Sequence, residues 1–280
     1  MGAVHVNDNR RGSGGRQNTA GGFSDAAGAP GNQRGLAVQT KRCMHSENCN
    51  PGTLQVLQAR IVACRQCPRL IAHCSHMAQV KRRAYRDQEY WGRPVPSFGS
   101  DRAKLLIVGL APAAHGANRT GRVFTGDRSG DLLYRVLHRT GFANQAESRS
   151  ADDGLQLIDA RITAVAHCAP PDNRPLPEEI RNCRGWLKHE IALLGDLQVV
   201  VALGRIGFDG YLAALLELGR IQRRAGIEFG HNLLHDLGPR NPALICSYHP
   251  SQQNTSTGRL TEAMLMDVFE SARGRIASNR

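Results

Sequence analysis

The chain has 280 residues, 41% hydrophobic and 21% charged, which suits one large soluble domain with a tail, or two modest domains. Its balance is basic, 36 Lys and Arg against 24 Asp and Glu for a net +12, which accommodates an anionic partner without identifying one. No apolar run reaches bilayer-spanning length and no signal-like apolar core opens the chain, so a cytoplasmic place is expected, where clustered members of the eight cysteines are metal or catalytic candidates rather than a disulfide framework.

Residues 1–50 combine Gly, Asn, Arg, Ala and Ser with few large apolar side chains. They bury too little to offset ordering entropy and read as a disordered basic tail ahead of a domain over 51–280, with Cys43 and Cys49 as solvated thiols. From Thr53 to Ala72 the spacing of Leu54, Leu57 and Ile61 predicts a helix. Cys64 and Cys67 form a CxxC pair that can bring two thiolates to one metal, with Pro68 stiffening the turn, while Cys74 reads as a packing residue. Lys81, Arg82, Arg83 and Arg86 either follow a phosphate backbone or form a solvated helix face. The aromatic and proline-rich stretch Tyr90 to Phe98 reads as an ordered loop against the body.

The apolar run Leu105 to Leu110 predicts a buried strand that empties into a long loop carrying Asn118, Arg119, Thr120, Arg122, Thr125 and Asp127. In an open α/β sheet such a loop is where ligands bind. A helix from about Ser129 to Thr140 follows, then polar loop over 143–157. A second strand, Ile162 to Ala166, runs into a turn stiffened by Pro170, Pro171 and Pro175 around Asn173. Pro177, Glu178 and Glu179 start a helix whose inner face carries Cys183 with Leu187 and Ile191. Cys168 and Cys183 make a second cysteine pair. On spacing alone the two pairs can serve zinc, iron-sulfur or nothing. A third parallel strand, Gln198 to Leu203, leads to a helix ending near Leu218. The last strand, Ala243 to Ser247, delivers His249 to the same kind of place as Asp127 and Asn173, ahead of a C-terminal helix bearing Leu265, Val268 and Phe269.

Three of these loops, GLAPAAHGANRTGRVFTGDRSG, HCAPPDNRP and HPSQQN, closely resemble the motifs of family 5 (type B) uracil-DNA glycosylases, and YWGRPVPSFG and CRQCPRL fit the same family. The resemblance covers roughly Leu54 to Phe269. It implies a three-layer α/β/α fold with a central four-stranded parallel sheet, a monomer acting on double-stranded DNA that contains uracil or deaminated purines, and a [4Fe-4S] cluster on Cys64, Cys67, Cys168 and Cys183.

It further implies base flipping followed by hydrolysis of the bond between base and deoxyribose. That reaction needs an anion near the sugar, a donor for the leaving oxygen, a flat apolar surface for the base and cations for the phosphates. By resemblance Asp127 stabilises the sugar cation and orients water, Asn173 helps to hold that water, and His249 donates to the base O2. Phe124 stacks on the base, while Gly109, Leu110, Ala111 and Ala114 line the pocket. Gln252, Gln253 and Asn254 probe the duplex; Arg119, Arg122 and Arg259 contact phosphates. Ala113 and Ala114 stand where many glycosylases have an acid or amide, and Ala164 where family 4 has a base-reading asparagine. These absences imply looser base choice, extending to hypoxanthine, xanthine and some adducted cytosines. A lesion binder without catalysis, or a nucleotide-binding protein with zinc, remains the alternative.

Overall fold

A computed structural model describes residues 53–278; the expected tail over 1–50 lies outside them. The elements in chain order are α1 (Leu54–Val62), α2 (Pro68–Val80), β1 (Phe98–Gly99), β2 (Leu105–Gly109), α3 (Ala117–Thr120), α4 (Arg128–Arg139), β3 (Ala160–Ala164), α5 (Pro177–Leu193), β4 (Val199–Leu203), α6 (Gly204–Glu217), β5 (Leu234–His235), β6 (Ala243–Ser247), α7 (Gln252–Ser256) and α8 (Glu262–Ser278).

The helix expected to run unbroken to Ala72 is two helices. α1 is capped by the Thr53 side chain, which accepts the Val56 amide at 3.3 Å. The chain then breaks, and α2 restarts with Cys67 as its N-cap and Pro68 in its first turn, where a missing N–H has no partner to lose. The break lets Cys64 and Cys67 leave the helical path together.

The strands form one sheet in the order β1-β3-β2-β4-β6-β5. The four expected strands are its parallel centre, with Ile107 opposite both Ile162 and Val201. Two-residue antiparallel strands, β1 and β5, lie at the edges. β3 begins at Ala160, earlier than expected, because Arg161 is buried within it against Glu190 at 2.6 Å. Ser97 donates to that same carboxylate at 2.9 Å, so a charge inside a strand is paired and hydrogen-bonded.

Every residue of β2 is buried, and alternate side chains serve opposite layers. Leu105 and Ile107 pack with α4 and α8, while Leu106 and Val108 pack with α1, α5 and α6. Each such buried side chain contributes about 1.5–3 kcal/mol. The result is the expected α/β/α sandwich. β3 lies on one side of β2 and β4 on the other, so the chain reverses direction across the sheet beside β2, and the loops at the carboxyl ends there bound a crevice. No helix among the described residues is long and apolar enough to cross a membrane.

Candidate active site

The loops leaving β2, β3 and β6 converge on one cleft of about 1430 Å³. Asp127, Asn173 and His249 all line it, as do Leu110, Ala111, Ala114, Phe124, Gln252 and Gln253. Residues drawn from three distant parts of the sequence are therefore brought together as expected.

Asp127 is the N-cap of α4, and its Oδ1 accepts the Gly130 amide at 3.0 Å. Burial raises its pKa above the usual 3.8, against the opposing pull of the Gly130 and Ser129 amides. The helix terminus thus holds a desolvated carboxylate whose charge can answer a cation. Gly116 makes room for it, since a β-carbon there would collide with Asp127 Oδ2.

Phe124 has φ 53°, a left-handed conformation that is a true outlier for an aromatic residue and costs about 1–3 kcal/mol. Two glycines permit it. A β-carbon on Gly130 would overlap the Phe124 carbonyl, and one on Gly109 would stand 2.9 Å from Phe124 Cε2. Gly109 therefore serves the site from beneath the ring rather than as cleft lining. The Phe124 ring stacks with His249, centroids 5.8 Å apart and planes 30° from parallel. Burial pushes His249 down to about 4, so at neutral pH it is an uncharged ring with one N–H to donate. Gly204, at φ +81° where β4 passes into α6, would place a β-carbon 3.0 Å from His249 Cβ.

Asn173, also in the cleft lining, is exposed and follows Asp172 in a turn where both have positive φ. Ala113, Ala114 and Ala164 also line the cleft, so the positions expected to lack a base-reading amide do face it.

Three of the expected DNA contacts are corrected by their partners. Arg122 is 4% exposed and points inward: it pairs with Asp153 at 2.6 Å and donates to Ser148 at 2.8 Å and Thr125 at 2.9 Å. Arg119 is also buried, donating to Gln88, His115 and Gly126 at 2.6, 2.8 and 3.1 Å, with its guanidinium 4.0 Å over Tyr85. Both side chains fix the loop that carries Phe124 and Asp127; Arg122 lies outside the cleft lining, while Arg119 reaches the lining with its donors already engaged. Asn254 turns back to donate to the His249 carbonyl at 2.8 Å, holding the histidine rather than facing outward. Gln252 and Gln253 are exposed at the rim, and Arg259 is exposed with its guanidinium 4.7 Å over Tyr248.

Cys64, Cys67, Cys168 and Cys183 line one small cavity with Leu70, Pro94 and Trp186. The His167 amide donates to Cys183 Sγ at 3.3 Å and Asn182 donates to Cys67 Sγ at 3.7 Å. Burial pushes the Cys183 thiol up to about 12, with the neighbouring Cys64 and Cys67 adding to the rise. The Cys168 thiol is raised by its hydrogen bond with Cys74 and then by burial. Cys74 itself is fully buried, in line with a packing role. Among the described residues no three thiol, imidazole or carboxylate groups are drawn close enough to hold a single metal ion.

The glycines at 116, 130 and 204 are the functional positions missed in the sequence. Each is defined by what packs on it from elsewhere, and only the position of Gly204 at a strand exit gave a signal.

Fold and site together define an α/β domain whose strand-exit loops bring an aromatic ring, an imidazole and a buried carboxylate into one cleft. The model of the Uracil DNA glycosylase superfamily matches residues 96–273, which include all three site loops. The type-5 uracil-DNA glycosylase of Mycobacterium bovis is 52% identical over 223 residues, 79% of this chain and 81% of the relative. That of Mycobacterium leprae is 51% identical, over 79% and 95% of the two chains. That of Thermus thermophilus is 46% identical over 213 residues, 76% and 94%. The chain belongs to the uracil-DNA glycosylase superfamily and, within it, to the type-5 family.

Proposed function

We propose that the protein removes uracil from double-stranded DNA by hydrolysing the bond between the base and deoxyribose, after the nucleotide has turned out of the duplex into the cleft. The convergence of a desolvated carboxylate, an uncharged imidazole and an aromatic face carries this reading. As the bond breaks, positive charge grows on the sugar and negative charge on the base. Asp127 answers the first and orients the attacking water, which Asn173 helps to hold. His249 donates its N–H to the base O2, and an uncharged ring does so without a strong pull on the intact substrate. Phe124 supplies the stacking face.

Ala113, Ala114 and Ala164 offer no amide to pair with one particular base edge. Selection therefore rests on shape and on one acceptor beside the glycosidic nitrogen, O2 in uracil and N3 in a purine, and hypoxanthine and xanthine are accepted besides uracil. A duplex with one such base per strand, incubated with the protein and treated with alkali, gives strand scission at each. Absence of scission at uracil would leave a lesion binder in place of an enzyme.

We further propose a [4Fe-4S] cluster on Cys64, Cys67, Cys168 and Cys183. The donor set fits: four thiols line one small cavity, and two receive N–H hydrogen bonds of the kind that steady sulfur ligands. The cluster supplies a structural tie between the α1–α2 segment, the exit of β3 and α5.

A further inference from the structure

The cleft has several times the volume of one nucleobase and extends along α2, where His73, Arg82 and His115 line it. None of these takes part in the chemistry above. His115 precedes Gly116, the glycine beneath Asp127, and its carbonyl is pinned by Arg119 Nε at 2.8 Å. Its ring is held as well. The Arg82 backbone amide donates to Tyr90 Oη at 3.3 Å, and Tyr90 Oη lies 3.1 Å from His115 Nδ1.

Tyr90 is 7% exposed, so its hydroxyl proton has little access to water. Because the oxygen already accepts from Arg82, that proton is best given to His115 Nδ1. The imidazole proton then sits on Nε2, which leaves a donor of fixed orientation in the cleft. Burial, followed by the charges of Arg82 and Arg119, lowers the His115 pKa and keeps the ring uncharged. Cationic groups predominate around it, and an anion entering there relieves their repulsion.

We propose that His115 binds a phosphodiester oxygen of the strand carrying the flipped nucleotide, through Nε2–H, with Arg82 supplying flanking positive potential and Tyr90 setting the tautomer. This rests on the DNA reading above and names the contact that holds the backbone beside Asp127 while the base is in its pocket.

A methylphosphonate walk tests it. In an Asp127→Asn background, affinity is measured for a uracil duplex in which one phosphate at a time, on either side of the uracil, is made neutral. One or two positions are expected to lose about tenfold, the scale of a hydrogen bond to a charged acceptor. His115→Ala should lose a similar factor on the unmodified duplex, and at those positions alone the two losses should not add. His115→Gln, whose amide still donates, should restore part of the affinity, and Tyr90→Phe should lose less than His115→Ala at the same positions. Unchanged affinity in His115→Ala, or losses that add at every phosphate, overturns the proposal. The cycle reads binding only, so a protein that fails to release uracil contradicts the glycosylase reading separately.

Discussion

The carboxylate of Asp127 lies against the bare α-carbon of Gly116, in space that any side chain at residue 116 would take. Gly116→Ala is therefore expected to displace the charge without removing it. Single-turnover uracil release should fall by about tenfold or more while the unfolding midpoint changes little. Asp127→Ala, which deletes the charge, should cost on the order of a hundredfold or more with duplex affinity largely kept. Near-normal release in Asp127→Ala would remove Asp127 from the chemistry.

Acid should silence the enzyme through its carboxylate. Burial holds Asp127 above its ordinary 3.8, and burial pushes His249 down from 6.5 to about 4. Catalysis needs the first ionised and the second neutral, and acidification abolishes both. The single-turnover rate should be flat around neutrality and fall as pH drops through the raised Asp127 pKa, with His249 protonating around pH 4. An acid limb centred near 6.5 that vanishes in His249→Ala would contradict the buried, neutral imidazole.

Arg122 and Arg259 should part company when each is replaced by alanine. Burial alone would raise the Asp153 pKa, but the Arg122 guanidinium and the amides of Leu155, Arg149 and Ser150 outweigh it and hold the carboxyl well below the usual range. The stability this pair adds is fully present above the unfolded carboxyl pKa and is lost as pH falls through the depressed one. Arg122→Ala should cost roughly 2–3 kcal/mol, less than for a fully buried pair because Asp153 keeps some contact with water, and should leave the salt dependence of DNA binding alone. Arg259→Ala should be nearly neutral for stability and should reduce the salt slope by about one if its guanidinium meets a phosphate. Thermal unfolding and binding titrations over a salt series separate the two.

The cysteine cavity predicts iron and acid-labile sulfide in equal amounts, with broad visible absorbance, in protein purified without oxidation. Cys168→Ser should lose the iron and much of the soluble yield. A soluble Cys168→Ser protein that has lost activity alone would argue against a structural tie.

The core strands were legible because parallel strands buried on both faces read as short apolar runs, and the site loops because each follows such a run. β1 and β5 were not, since two residues cannot display an alternation. The break between α1 and α2 was masked by apolar spacing that continues across Cys64 and Cys67. Arg119 and Arg122 were assigned to phosphates by resemblance, as cations on a site loop. Their partners, Gln88 and Asp153, lie 31 residues away on either side, and nothing local announces them.

The two short outer strands bear on self-association. A parallel sheet that ended on β3 and β6 would present long rows of unpaired amides and carbonyls, an invitation to pair with another chain. Here each flank is interrupted by a two-residue antiparallel segment, and beside β1 the Val95 amide donates to the His167 carbonyl. Extended pairing between copies finds little continuous edge to grip. A repair protein crowded along DNA can then work at high local concentration without its sheets joining.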